Sequence, residues 1–130
     1  MFKLIKLFNH EDERGNLVAI EAQKDIPFSV KRVYYIWGAG LNVVRGKHAH
    51  NNLQQLIICL SGSCDFYLED ETGERVITLN NPSEGLYLSG IVWREFTNLT
   101  RDCILLVLAS EKYDPEDYIR DKKVFNQKNN

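Results

Sequence analysis

Short runs rich in β-branched and aromatic residues recur along this chain between turn-forming residues, and that spacing predicts an all-β fold. The runs are "NLVAIEA", "SVKRVYYIW", "LQQLIICL", "CDFYLED", "ERVITL", "GLYL", "VWREFTN" and "CILLVLAS". Between them stand Gly38-Ala39-Gly40, Ser61-Gly62, Thr72-Gly73 and Asn80-Asn81-Pro82, residues that favour turns. "YLEDETGERVITL" predicts a hairpin closed around Gly73. Many short strands at this spacing fit a sandwich or small barrel. Only "DPEDYIRDKKVF" predicts a helix: Asp114 suits the N-cap, Pro115 the first helical position, and acidic residues precede basic ones. The tail "NQKNN" is expected to fray. With 130 residues and no linker, repeat or composition shift, residues 1–130 are expected to form a single domain.

Charge and cysteine usage exclude several classes of function. Sixteen basic and eighteen acidic residues leave a net charge of −2, so no general nucleic-acid field is expected, and anion binding must come from locally placed arginines. No apolar run approaches the roughly 18–20 residues that span a bilayer, and no signal peptide is expected in "MFKLIKLFNHEDERG". Cys59, Cys64 and Cys103 contain no C-x-x-C pair and lie in apolar runs. They are expected to be reduced, partly buried thiols of a cytoplasmic protein, neither zinc ligands nor nucleophiles. The glycines of "WGAGLNVVRG" precede no helix and make no nucleotide loop.

The chemistry concentrates in "RGKHAHNNLQQ", residues 45–55. His48 and His50 stand one residue apart, so an extended strand presents both rings on one face. Two imidazoles do not hold a catalytic metal without further ligands. The third histidine, His10, lies in a polar segment read as a surface turn. Glycine, H-x-H, a carboxylate about five residues on and a later glycine resemble the first motif of the cupin superfamily. Here the carboxylate position is Gln55, with Gly62 beyond it, and the second-motif histidine falls on Trp93 or Arg94. The metal set is thus broken, and no metal or other cofactor is expected. Acid–base work by the two imidazoles is the favoured reading, because imidazole titrates near working pH.

Several stretches narrow the resemblance. "RGNLVAIE", "IPFSVKRVYYI", "RGKHAH", "LQQLIICLSGSC", "GLYL" with "VWREF", and "LLVLASEKYDPEDYIRD" are similar to the nucleotide-sugar 3,4-ketoisomerases, small cupins of deoxysugar biosynthesis. The resemblance implies a jelly-roll β-barrel with its active site inside, and a homodimer exchanging N-terminal strands. It also implies a metal-free isomerase that converts dTDP-4-keto-6-deoxyglucose to its 3-keto isomer. Amination of such products gives 3-amino-3,6-dideoxyhexoses for surface glycans. Arg14-Gly15 looks like the branch giving the galacto product.

Moving the ketone from C4 to C3 through an enediol needs one group to serve carbon and one to serve oxygen. His50 is favoured as carbon base and His48 as shuttle. Tyr35 or Tyr34 would donate to the enolate oxygen, Tyr35 being favoured. Arg45, Arg94 and Arg32 are candidates for the diphosphate. Trp93 and Tyr87 are candidates for stacking on base or sugar, and Gln55 for a sugar hydroxyl. The alternatives are a dTDP-sugar 3,5-epimerase and a non-catalytic cupin that binds a nucleotide sugar.

Overall fold

The strand-like runs become strands because alternate side chains can be buried against a second sheet. The computed structural model describes residues 1–129. Its strands are β1 (Phe2–Lys6), β2 (Asn9–Asp12), β3 (Gly15–Val18), β4 (Arg32–Trp37), β5 (Arg45–His50) and β6 (Gln55–Ser61). They continue with β7 (Cys64–Asp70), β8 (Gly73–Leu79), β9 (Glu84–Leu88), β10 (Trp93–Thr97), β11 (Ile104–Ala109) and β12 (Tyr118–Ile119). One α-helix follows among the described residues, α1 (Lys122–Lys128). The strand orders are β1-β9-β6-β11-β4 in one sheet and β12-β5-β10-β7-β8 in the other, with β2 and β3 as a separate hairpin. Sequence-distant strands lie side by side in antiparallel pairs, the connectivity of a jelly-roll sandwich.

The main core lies between the sheets. Ile57 and Cys59 from β6, Phe66 and Leu68 from β7, Leu86 and Leu88 from β9, and Leu105 and Val107 from β11 pack together there. All three cysteines are buried and free. Burial pushes the Cys59 thiol up to about 12 and the other two upward as well, so none is a ready nucleophile. The opposite face of the first sheet carries a second apolar cluster, in which Leu56, Ile58 and Tyr87 are covered by Ile26 and Phe28.

The hairpin around Gly73 forms as β7–β8, with Gly73 at φ +130°. β1 and β2 are strands that the sequence reading leaves out; His10 stands on β2, exposed and against Phe8, rather than in a turn. The single helix predicted over residues 114–125 is corrected to three pieces. Asp114 does cap, accepting from the Glu116 N–H at 3.0 Å, but only a 3₁₀ turn over Pro115–Asp117 follows. The chain then extends as β12, because the edge of β5 offers backbone partners there. α1 begins afterwards with its own cap, Asp121, which accepts from the Lys123 N–H at 2.9 Å. Tertiary pairing overrides a capping signal that was locally sound. The tail expected to fray is instead helical through Lys128, and the Asn129 N–H bonds the Phe125 carbonyl at 2.9 Å; Asn130 lies outside the described residues.

A bulge in β5 sets the phase of the histidine strand. The register with β10 shifts between Arg94, opposite His48, and Glu95, opposite Gly46. Gly46 (φ 83°) and Lys47 (φ 56°) both take left-handed conformations at this step. A Cβ on Gly46 would stand 2.9 Å from the Arg94 carbonyl oxygen and 3.2 Å from the Phe96 ring. Gly46→Ala is therefore expected to destabilise the protein by about 1–3 kcal/mol, through strain at a positive φ and this close approach. The loss should lower the urea midpoint at constant m; an unchanged midpoint would show that the bulge tolerates a side chain.

Candidate active site

Downstream of the bulge, His48 and His50 face the interior with ring centroids 4.8 Å apart and planes at 90°. Three neighbouring strands send polar side chains to the same end of the sandwich. On β4 the alternation turns Arg32, Tyr34 and Ile36 inward and leaves Val33, Tyr35 and Trp37 exposed. Tyr35 is 61 % exposed and stacks on Trp37, so the favoured choice of Tyr35 for the interior is corrected to Tyr34. Adjacent tyrosines hide this parity, since each face of the strand carries an aromatic ring. β6 contributes Gln55, and β10 contributes Arg94, which is 1 % exposed.

These three groups form a buried chain of hydrogen bonds. Arg94 donates through Nη1 to the Gln55 Oε1, and to the Val92 carbonyl at 3.1 and 3.3 Å. Gln55 Nε2 donates to the Tyr34 hydroxyl oxygen at 2.8 Å. The Tyr34 proton therefore remains available to another acceptor, and burial raises the tyrosine above its ordinary pKa. Tyr118 of β12 lies against both imidazoles, its ring centroid 4.9 Å from that of His48 and 4.3 Å from that of His50. It stands between two cavities. The larger, about 670 Å³, is lined by His50, Arg32, Asp117 and Tyr113 among others. The smaller, about 300 Å³, is lined by His48, Tyr34, Arg32 and Arg45. At this site His48 Nδ1 and Arg32 Nε are buried without a partner among the described residues, as expected of groups that wait for a ligand.

The electrostatics keep both imidazoles unprotonated. Burial, then the nearby Arg94 guanidinium, lowers His48 to about 4 and His50 to about 2. Arg94 is itself drawn down by burial only to about 10, so it remains a cation at neutral pH. A divalent metal fits this donor set poorly. The amide at the carboxylate position is engaged at both ends, and a fixed positive charge occupies the second-motif position.

Other predicted residues lie elsewhere. Arg45 is exposed at the rim of the smaller cavity, where an anion could reach it. Arg94 sits beneath the histidines, held by Gln55 and Val92, and not at the mouth as a diphosphate cation would. Gln55 is committed to Arg94 and Tyr34 rather than free for a sugar hydroxyl. Trp93 points to the outer face of β10; it is 4 % exposed, donates to Glu95 at 2.8 Å and packs on Phe125, which docks α1. Tyr87 is buried in the outer cluster with its hydroxyl on Gln54 at 2.6 Å. Neither ring is placed to stack on a ligand in these cavities. The sequence reading missed Tyr118 and Asp117, whose Oδ2 lies 3.2 Å from His50 Nδ1. Both fall in the segment taken for a helix, where no pattern pointed inward.

A jelly-roll sandwich whose polar end holds two neutral imidazoles, an inward tyrosine and a buried guanidinium is a cupin suited to moving protons. The chain belongs to the FdtA family, whose model (WxcM-like, C-terminal) matches residues 1–130. It is 48 % identical over 118 residues to the TDP-4-oxo-6-deoxy-α-D-glucose-3,4-oxoisomerase of Aneurinibacillus thermoaerophilus, covering 91 % of this chain and 85 % of that one. The sugar 3,4-ketoisomerase QdtA from Thermoanaerobacterium thermosaccharolyticum, solved with TDP, superposes with a TM-score of 0.95 at 45 % identity, covering 98 % of this chain and 93 % of that chain. The TDP-quinovose 3,4-ketoisomerase WlaRB of Campylobacter jejuni gives a TM-score of 0.93 at 45 % identity, with 97 % of each chain covered.

The depressed histidines make stability depend on pH in a defined direction. An unfolded histidine titrates near 6.5, whereas these stay neutral in the fold to about 4 and about 2. The unfolded state thus binds more protons below pH 6.5, and the stability that the neutral imidazoles carry at pH 7 is lost as pH falls toward 4. At pH 5 unfolding should take up about two protons on account of this pair, and His48→Asn should remove about one of them. Urea midpoints measured from pH 7 to pH 5 test this; a slope unaffected by the substitution would contradict it.

Proposed function

We propose that this chain is a 3,4-ketoisomerase of TDP-4-keto-6-deoxyglucose. The observation that carries the reading is the pair of neutral imidazoles at 4.8 Å in the polar end of the sandwich, within a family whose relatives bear that activity. The reaction removes the proton at C3, passes through an enediol, and returns a proton at C4. The C3 hydroxyl loses its proton as the C4 oxygen gains one. No net oxidant or external co-reactant is needed, so two imidazoles suffice. His50 serves carbon and His48 carries the proton between the oxygens. Tyr34 donates its free proton to the developing C4 oxyanion. Arg94, acting through Gln55, polarises that hydroxyl, and its charge adds to the burial that keeps the imidazoles unprotonated. Arg32 and Arg45, on the cavity walls, are the cations proposed for the diphosphate.

The product is proposed to have the galacto configuration at C4, a reading supported by Arg14-Gly15 in the β2–β3 turn, and to be consumed by an aminating enzyme. The assembly is proposed to be a cytoplasmic homodimer. Val33, Tyr35 and Trp37 leave the outer face of β4 53 %, 61 % and 68 % exposed, a surface of the kind that a second copy covers. In an exchanged dimer, the β1–β9 pairing seen within one chain would form between chains in the same register.

Proton NMR of TDP-4-keto-6-deoxyglucose with the enzyme tests the reading. The 3-keto isomer should appear, at a rate unchanged by chelator. His48→Asn and His50→Asn should each lower turnover roughly 10²–10⁴-fold with TDP affinity nearly intact. Tyr34→Phe should slow turnover, whereas Tyr35→Phe should not. Epimerisation at C3 and C5 without ketone migration would identify an epimerase, and TDP binding without turnover a binding module. Native rates in both histidine variants would remove the imidazoles from the mechanism.

A further inference from the structure

The geometry points to Asp117 as the positioning residue that fixes the tautomer of His50 and so decides which of its ring nitrogens is free to accept a proton. The catalytic consequence rests on the isomerase reading; the tautomer itself does not.

Asp117 is placed by backbone bonds on both sides. Its N–H donates to the Asp114 carbonyl at 3.1 Å, closing the 3₁₀ turn, and its carbonyl accepts from the Asn51 N–H at 3.0 Å and the Asn51 side chain at 3.2 Å. β12 then pairs Tyr118 with His50, so Asp117 is held beside the end of the histidine strand. Its carboxylate has two tasks. Oδ1 accepts from the Asn52 N–H at 2.9 Å, and Oδ2 faces His50 Nδ1 at 3.2 Å.

No other acceptor bonds the His50 ring among the described residues. His50 and Asp117 are 2 % and 13 % exposed, so bulk water does not replace the contact. The charged groups acting on His50 from the other elements are Arg94, Arg32 and Arg120, with His48 beside them, and none of the arginines accepts a proton. A neutral imidazole carries one proton, and a carboxylate accepts only from a protonated nitrogen. His50 therefore keeps its proton on Nδ1. Nε2 is left with its lone pair, on a side chain that lines the 670 Å³ cavity. In this arrangement the carboxylate takes no proton; it orients the base and stabilises the imidazolium formed during turnover.

Asp117→Asn inverts the instruction at nearly constant shape. The Asn52 N–H still needs an acceptor, so the amide oxygen stays on Asn52 and the amide nitrogen faces His50. That nitrogen donates, which requires an unprotonated Nδ1 and moves the ring proton to Nε2. The backbone bonds of residue 117 are unaffected.

The experiment is ¹⁵N NMR of histidine side chains in the full-length protein at pH 7, with His50 assigned by its loss in His50→Asn. The native protein should show His50 protonated on Nδ1, and Asp117→Asn should show it protonated on Nε2. The same variant should bind TDP with unchanged affinity and lose turnover roughly 10²–10⁴-fold through kcat rather than KM. Native His50 protonated on Nε2 would overturn the inference, as would a variant that folds and keeps the native tautomer. If Asp117→Asn does not fold, the native spectrum alone still decides. If the tautomers switch but the native protein shows no isomerisation, the functional reading fails and the positioning role stands.

Discussion

Arg94 is a guanidinium buried without an ion pair within 4 Å among the described residues, and the polar end of the sandwich is organised around it. Removing an ion from water costs several kcal/mol even after relaxation, so such a group persists only when neighbours satisfy its donors. Val92 and Gln55 do so, and that commitment orients the Gln55 amide so that its NH₂ must find an acceptor, which is Tyr34. Burial first, and this charge after it, hold both imidazoles below their ordinary pKa, and the charge opposes a second cation beside them. One residue thus accounts for the direction of a hydrogen-bond chain and the poor fit to a metal, and it adds to the burial that keeps two histidines neutral.

The fold supplies the positions for this arrangement. Alternation along β4, β6 and β10 turns Tyr34, Gln55 and Arg94 inward, while apolar residues of the same strands fill the opposite end. β5 reaches the required phase through its bulge at Gly46 and Lys47. The C-terminal segment then pairs alongside the histidine strand as β12 and is anchored by α1, whose Phe125 packs on Trp93. Structural and chemical roles are divided between the two faces of β10, with Trp93 outside and Arg94 inside.

Much of this was legible in the sequence. The turn signals and β-rich runs delineated most of the sandwich, and H-x-H with Gln55 in a carboxylate position located the polar end and argued against a metal. What escaped was decided by parity or tertiary pairing. Tyr34 and Tyr35 are the same residue type on opposite faces, so composition cannot choose between them. Trp93 and Tyr87 read equally well as stacking surfaces or core until the sheet faces are known. Asp117 was hidden because Asp114-Pro115 is a sound helix start; only the free edge of β5 draws the chain into a strand at Tyr118. β1 and β2 lacked the β-branched density of the other runs and depend on pairing for their conformation.

The central claim is that this pocket exchanges protons at C3 and C4 of a keto sugar through an enediol. Incubation with TDP-4-keto-6-deoxyglucose in D₂O, followed by NMR, tests it most directly. The account predicts deuterium at C4 of the 3-keto product and at C3 of recovered substrate, with C5 unlabelled. Substrate recovered unlabelled and unconverted, or label at C5 without ketone migration, would contradict it.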